Sequence, residues 1–132
     1  MTSIQPTPTD CPFCERISKA EYEGVFFTRG TVFFEPLNPV VPGHRLFVPR
    51  KHVVDAADDP KVTAGVFGAA AAYAEQKRFF HTDFNLITSA GGAATQSVFH
   101  LHVHYVPRRK GDGLALPWTN QEALGSVEKE DS

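Results

Sequence analysis

The run Phe99-His100-Leu101-His102-Val103-His104-Tyr105-Val106-Pro107 limits what this chain can be more than any other stretch. Histidine alternates with apolar residues at a period of two. In an extended strand, residues two apart share a face, about 6–7 Å from each other. Three imidazoles therefore line one side, and Phe99, Leu101, Val103 and Tyr105 form an apolar row for a core on the other. Pro107 ends the strand because it lacks a ladder donor. Serine, threonine or lysine would serve a merely solvated face, yet this strand holds three of the chain's 6 histidines. Histidine is a general base, a nucleophile and a common metal ligand. The pattern suits a catalytic metal cage, and equally a metal-free nucleophile with histidine helpers.

The remainder reads as an α+β domain with an antiparallel sheet of about five strands and one long helix. Val25-Phe26-Phe27-Thr28 and Val32-Phe33-Phe34 are β-branched and aromatic, with a turn expected at Arg29-Gly30. Asn38 to Gly43 holds two prolines and a glycine and is expected to be a loop. Arg45 to Val48 and Phe84 to Ile87 are further strands. Pro60 opens a helix in which Val62, Val66 and Tyr73 follow helical spacing, closed by Glu75-Gln76-Lys77-Arg78. Residues 1–10 are rich in Pro and Thr and 119–132 are acidic and polar. Both are expected to be loose tails around a single domain at 11–118.

The composition excludes several function classes. Thirteen Lys+Arg against fifteen Asp+Glu leave a net charge of −2, which lacks the basic footprint of a nucleic-acid binder. The Ala-rich run Gly68 to Ala74 is far too short for a membrane span of ~20 residues. The N-terminus has neither a basic n-region nor an apolar h-region, so a cytoplasmic location is expected. There a structural disulfide is a poor use for Cys11 and Cys14. Gln96 and Ser97 precede the histidine strand, and Ala90-Gly91-Gly92-Ala93-Ala94 before them lets backbone N–H groups approach an anion. With the nearby cations Arg45, Arg50, Lys51 and Arg108, these favour a phosphate-bearing substrate.

His100-Leu101-His102-Val103-His104-Tyr105-Val106 resembles the histidine-triad signature of the HIT proteins. Pro39 to Pro49 resembles the family's upstream segment, and Cys11-Pro12-Phe13-Cys14 the Cys-x-x-Cys opening of many bacterial members. The likeness covers roughly 11–118, in the bacterial and phage flavour, nearer the Fhit-like dinucleotide hydrolases than the galactose-1-phosphate uridylyltransferases.

The resemblance implies a nucleotidyl hydrolase or transferase acting on a nucleoside 5′-phosphate derivative, a phosphoramidate or dinucleoside polyphosphate. His102 would be the nucleophile and form a covalent nucleotidyl-histidine. His100 and His104 would support it, and Gln96, Ser97 and His104 would contact phosphate. For Cys11 and Cys14 the resemblance supplies His52 and His100 as partners, a Cys₂His₂ set that would hold a structural Zn²⁺. It further implies a homodimer, for which the Ala-rich helix with Val62, Val66 and Tyr73 is a candidate face. Trp118 reads as a core anchor or as a lining of the site. His44 reads as structural or site-lining, and His81 as an exposed residue at the helix end.

The chain departs from the family on the nucleoside side. Pro36 stands where a ribose-holding acidic residue or Asn is usual, Ser89 where Asn or Gln is, and Thr95 where Gly is. Glu35, Asn38 and Ser89 are the remaining candidates for reading the nucleoside. Two other readings stand beside the hydrolase: a zinc-dependent hydrolase with the strand histidines as ligands, and a non-catalytic nucleotide-binding module.

Overall fold

A computed structural model describes residues 10–26 and 30–119. Of the expected tails at 1–10 and 119–132, residues 1–9 and 120–132 lie outside the described residues, as do Phe27 and Thr28 of the first expected strand and the Arg29 half of the expected turn.

The elements run α1 (Pro12–Ser18), β1 (Gly24–Phe26), β2 (Thr31–Phe34), β3 (Arg45–Pro49), α2 (Pro60–Gln76), β4 (Phe84–Ile87), a short 3₁₀ turn (Gly92–Ala94) and β5 (Val103–Pro107). The five strands form one antiparallel sheet in the order β1-β2-β3-β5-β4. Connecting β3 to β4, α2 crosses one face. Asp59 caps its start by accepting from the Val62 N–H, Pro60 fits its first turn, and Lys77 caps its end.

The period-two alternation of β5 sorts the two faces. Leu101, Val103 and Tyr105 are fully buried with Phe47 against Val66, Ala69, Ala70 and Tyr73 of α2. On the opposite face, Val32, Phe34, Leu46 and Val48 pack with Cys11, Phe13 and Cys14 of the α1 segment. His104 is paired with Leu46 across the β3–β5 ladder and so belongs to this second face.

Several expectations need correction. The strand begins at Val103, not Phe99. Before that point the chain leaves the sheet, with the Leu101 N–H bonded to the Val53 carbonyl at 2.7 Å. Phe99 is consequently 50% exposed rather than a core residue. Pro12–Ser18 forms a second, short helix, started by Pro12 and by the Cys11 sulfur, which accepts from the Cys14 N–H. Val66 and Tyr73 lie in the chain's own core, with Val62 packed against it, so they are not a docking face. The outward face of α2 carries Ala64, Gly68 and Ala71 in its middle, with Lys61, Glu75 and Gln76 toward its ends. Trp118 is 68% exposed and anchors no core. His81 is half-buried, its Nδ1 lying 3.2 Å from the Tyr105 hydroxyl. It also sits against Gly43, where φ is +93° and an added Cβ would meet Pro107 and His81 at 3.0 and 3.2 Å.

Candidate functional site

Four side chains from three parts of the chain converge beside α1. The Cys11 and Cys14 sulfurs each lie 3.5 Å from Nδ1 of His100, the Cys14 sulfur 3.3 Å from Nδ1 of His52, and the two Nδ1 atoms 3.1 Å apart. All four donor atoms fall within 4.8 Å of one another. Ligand bonds of about 2.0–2.3 Å give a tetrahedral zinc centre edges of roughly 3.3–3.8 Å. The His100 Nε2–H donates to the Pro49 carbonyl at 2.8 Å, which leaves the Nδ1 lone pair turned inward. Burial and the adjacent Cys11 sulfur push the Cys14 thiol up to about 12, and burial brings His100 down to about 4. A divalent cation would reverse the first effect by stabilising thiolate. The donor set fits zinc.

His102 sits two residues on and takes no part in that cluster. Its Nδ1 lies 2.8 Å from the His100 carbonyl. A carbonyl only accepts, so the proton is on Nδ1 and the Nε2 lone pair is free. Burial keeps His102 below its ordinary pKa, offset by this hydrogen bond. Thr88 donates its hydroxyl to the His102 carbonyl at 2.7 Å. No sequence signal marks it, because its partner is a backbone atom 14 residues away.

His104 is oriented by His44. The Val40 N–H donates to His44 Nδ1 at 3.1 Å, so His44 carries its proton on Nε2 and donates to His104 Nδ1 at 2.9 Å. His104 must then hold its own proton on Nε2. Burial, and the neighbouring His102 and His44, bring His104 down to about 4. Both rings stay neutral near pH 7. The His104 ring centroid lies 5.2 Å from that of His102.

The three histidines therefore do not converge on one ion. His100 faces the cysteines and Pro49, His102 faces the His100 carbonyl, and His104 faces His44. Among the described residues the Cys11, Cys14, His52 and His100 group is the metal-binding arrangement present, so the catalytic cage expected as one alternative does not form.

Gln96 has a different place from the one expected. Its Oε1 accepts from the Gly91 N–H at 2.8 Å, its Nε2 donates to the Val54 and Val98 carbonyls, and its backbone N–H donates to Gly91. Every donor is used to brace the loop, which leaves none for phosphate. Ser97 is exposed and lines a cavity of about 410 Å³ together with Cys11, His52, Val54 and Phe99. Thr95 adopts the left-handed conformation, φ +71° and ψ 26°. This is backbone that favours glycine over a β-branched residue.

The HIT domain family model matches residues 19–111. This chain belongs to the HIT family. An AP-4-A phosphorylase of Mycobacterium tuberculosis is 34% identical over 110 residues, which span 76% of this chain and 55% of that protein. A zinc-bound histidine triad family protein from Mycobacterium smegmatis superposes with a TM-score of 0.70 at 31% identity, over 80% of each chain. A HIT family hydrolase from Clostridium thermocellum gives 0.65 at 28% identity, covering 80% of this chain and 96% of that one.

In this HIT chain the nucleoside-side candidates separate. Glu35 and Pro36 line an open groove of about 620 Å³ with Arg16, Tyr22, Phe34 and Leu37. The floor, Phe34, leads to Phe13 at a ring distance of 5.6 Å, and Phe13 to His102 at 5.1 Å. Asn38 is exposed in the loop beyond, and Ser89 is half-buried next to Thr88. Neither lines this groove. No helix among the described residues is long and apolar enough to cross a membrane.

Proposed function

We propose that this HIT-family chain is a nucleotidyl hydrolase or transferase. Its substrate is a nucleoside 5′-phosphate derivative, a phosphoramidate or a dinucleoside polyphosphate. The observation that carries this reading is the 2.8 Å contact between His102 Nδ1 and the His100 carbonyl, which fixes the tautomer with a free Nε2.

In the first step His102 Nε2 attacks the α-phosphorus. A P–N bond forms and the bond to the leaving group breaks, its electron pair departing with that group, which takes a proton at the exposed side of the site. In the second, water attacks the same phosphorus and loses its proton, the P–N bond breaks, and His102 regains its lone pair. Splitting one displacement into two lowers each barrier. His104 offers its Nε2–H to a phosphate oxygen, oriented through His44, and Ser97 adds a hydroxyl at the loop. Zinc, where bound, ties α1 to the histidine segment; with four protein ligands it keeps no open position for chemistry. Glu35 takes the ribose-reading role that Pro36 cannot fill, because it lines the groove whose floor leads to His102.

The functional unit is 11–118, since α1 contributes to both the metal cluster and the wall beside His102. The free cysteines Cys11 and Cys14 fit a cytoplasmic chain, and a homodimer fits the exposed small-residue stripe Ala64, Gly68 and Ala71 of α2 and the β4 sheet edge beside it.

The test is release of nucleoside monophosphate from a panel of phosphoramidates and dinucleoside polyphosphates, with wild type, His102→Asn and added chelator. Release that needs His102 and survives chelation supports the reading. Release lost on chelation from a still-folded protein contradicts the metal-free mechanism. Nucleotide binding without release by the wild type favours a binding module.

A further inference from the structure

We propose that Phe13 is the positioning residue for His102. It stands between the two cysteines of the metal cluster and holds the imidazole so that Nε2 points into the site. This rests on the reading of His102 given above. Phe13 is buried, and its ring meets His102 nearly perpendicularly, at 5.1 Å between centroids and 85° between planes. It meets His100 at 5.9 Å and Phe34 at 5.6 Å. Phe34 is itself fully buried and covered by the Arg16 guanidinium at 3.9 Å, so Phe13 has a rigid backing.

The chemistry requires such a wedge. Among the described residues, the one hydrogen bond on the His102 ring is its Nδ1–H to the His100 carbonyl. One hydrogen bond of ordinary net strength favours the bonded ring orientation about fivefold. A perpendicular aromatic contact adds several-fold more and blocks rotation sterically. Reorienting the ring would place a carbon where Nε2 must be, and a small misplacement of a reacting atom is costly.

The cluster makes the wedge stiff. Cys11 and Cys14 bracket Phe13 on a seven-residue helix that is too short to be stable alone. Their sulfurs, within 3.5 Å of His100 Nδ1, tie that helix to the residue whose carbonyl holds His102. His100 thus touches the cluster with its side chain and the nucleophile with its backbone, and Phe13 closes the loop from the other end. A bulky aromatic between two ligating cysteines has a use beyond filling the core.

The experiment compares Phe13→Leu and Phe13→Tyr with wild type, all as purified with their metal. Metal content, melting temperature, steady-state kinetics and the ¹⁵N shifts of the His102 ring, assigned through His102→Asn, are recorded. Phe13→Leu is expected to keep its metal and melt within a few degrees of wild type. Its kcat should fall about tenfold with KM changed less than twofold. Its His102 ¹⁵N shifts should move from one fixed tautomer toward an average of two, and Phe13→Tyr should restore both. Wild-type shifts and kcat in Phe13→Leu overturn the proposal, as does a kcat that falls only in step with melting or metal loss. If Phe13→Leu does not fold, Phe13→Met decides by the same criteria. Should wild type show no turnover dependent on His102, the functional reading fails, while the ¹⁵N shifts still decide the role of Phe13.

Discussion

The His100 carbonyl accepts a hydrogen bond from His102 Nδ1 at 2.8 Å, while the His100 ring turns away to lie 3.5 Å from both cysteine sulfurs. One residue therefore serves two centres with different parts of itself. Its imidazole belongs to the Cys₂His₂ cluster and its backbone fixes the tautomer of the neighbouring histidine.

Removing the metal should loosen the fold without removing a reacting group. Chelation, or Cys14→Ser, is expected to lower the melting temperature by roughly 10 °C or more, since binding to a site absent from the unfolded chain is folding energy. Purified wild type should contain one zinc per chain by elemental analysis. A metal-free wild type with an unchanged melting curve on chelation would refute this.

Acid should destabilise the protein through His104. Its pKa lies at about 4 because burial, His102 and His44 disfavour the charged ring. The unfolded chain binds this proton near pH 6.5 and the folded chain does not. The stability contributed is complete above that pH and is lost as pH falls toward 4, on the order of 3 kcal/mol in total. Urea titrations at pH 7 and pH 5 should show the drop, and His104→Gln should make it shallower. An identical pH dependence in the variant would contradict the assignment.

Thr95 is strained where it stands. A β-branched residue at φ +71° costs about 1–2 kcal/mol, partly offset in a Gly variant by added chain entropy. Thr95→Gly is expected to raise stability by about 0.5 kcal/mol or more, read as a higher urea midpoint with an unchanged slope. A lower midpoint would show that the hydroxyl, which donates to the Ala94 carbonyl, outweighs the strain.

Much of this was legible in the sequence, for identifiable physical reasons. Period two in Val103 to Pro107 sorts the faces because strand geometry admits no other arrangement, and Leu101 continues the buried row just outside the sheet. Pro60 and the small apolar residues after it define α2 because capping and burial agree there. What escaped depended on contacts between distant backbone atoms. The start of β5 at Val103 is set by the Leu101 bond to Val53, which no local propensity encodes. Gln96 looks like a phosphate ligand by type and position, yet three carbonyls take all its donors. α1 escaped because a helix of seven residues has no propensity of its own and is held by tertiary contacts. Thr88 and the orientation of His104 by His44 likewise become visible only once the sheet brings 88 to 102 and 44 to 104.

Turnover by the proposed route passes through a covalent bond between His102 and a nucleotidyl group. The direct measurement is rapid acid-free quenching of wild type turning over its best substrate, followed by mass spectrometry of the intact protein and of its peptides. A transient mass increase of one nucleoside monophosphate less water is expected, located on His102 and absent from His102→Asn. Full turnover with no adduct at any time, or an adduct on another residue, would contradict it.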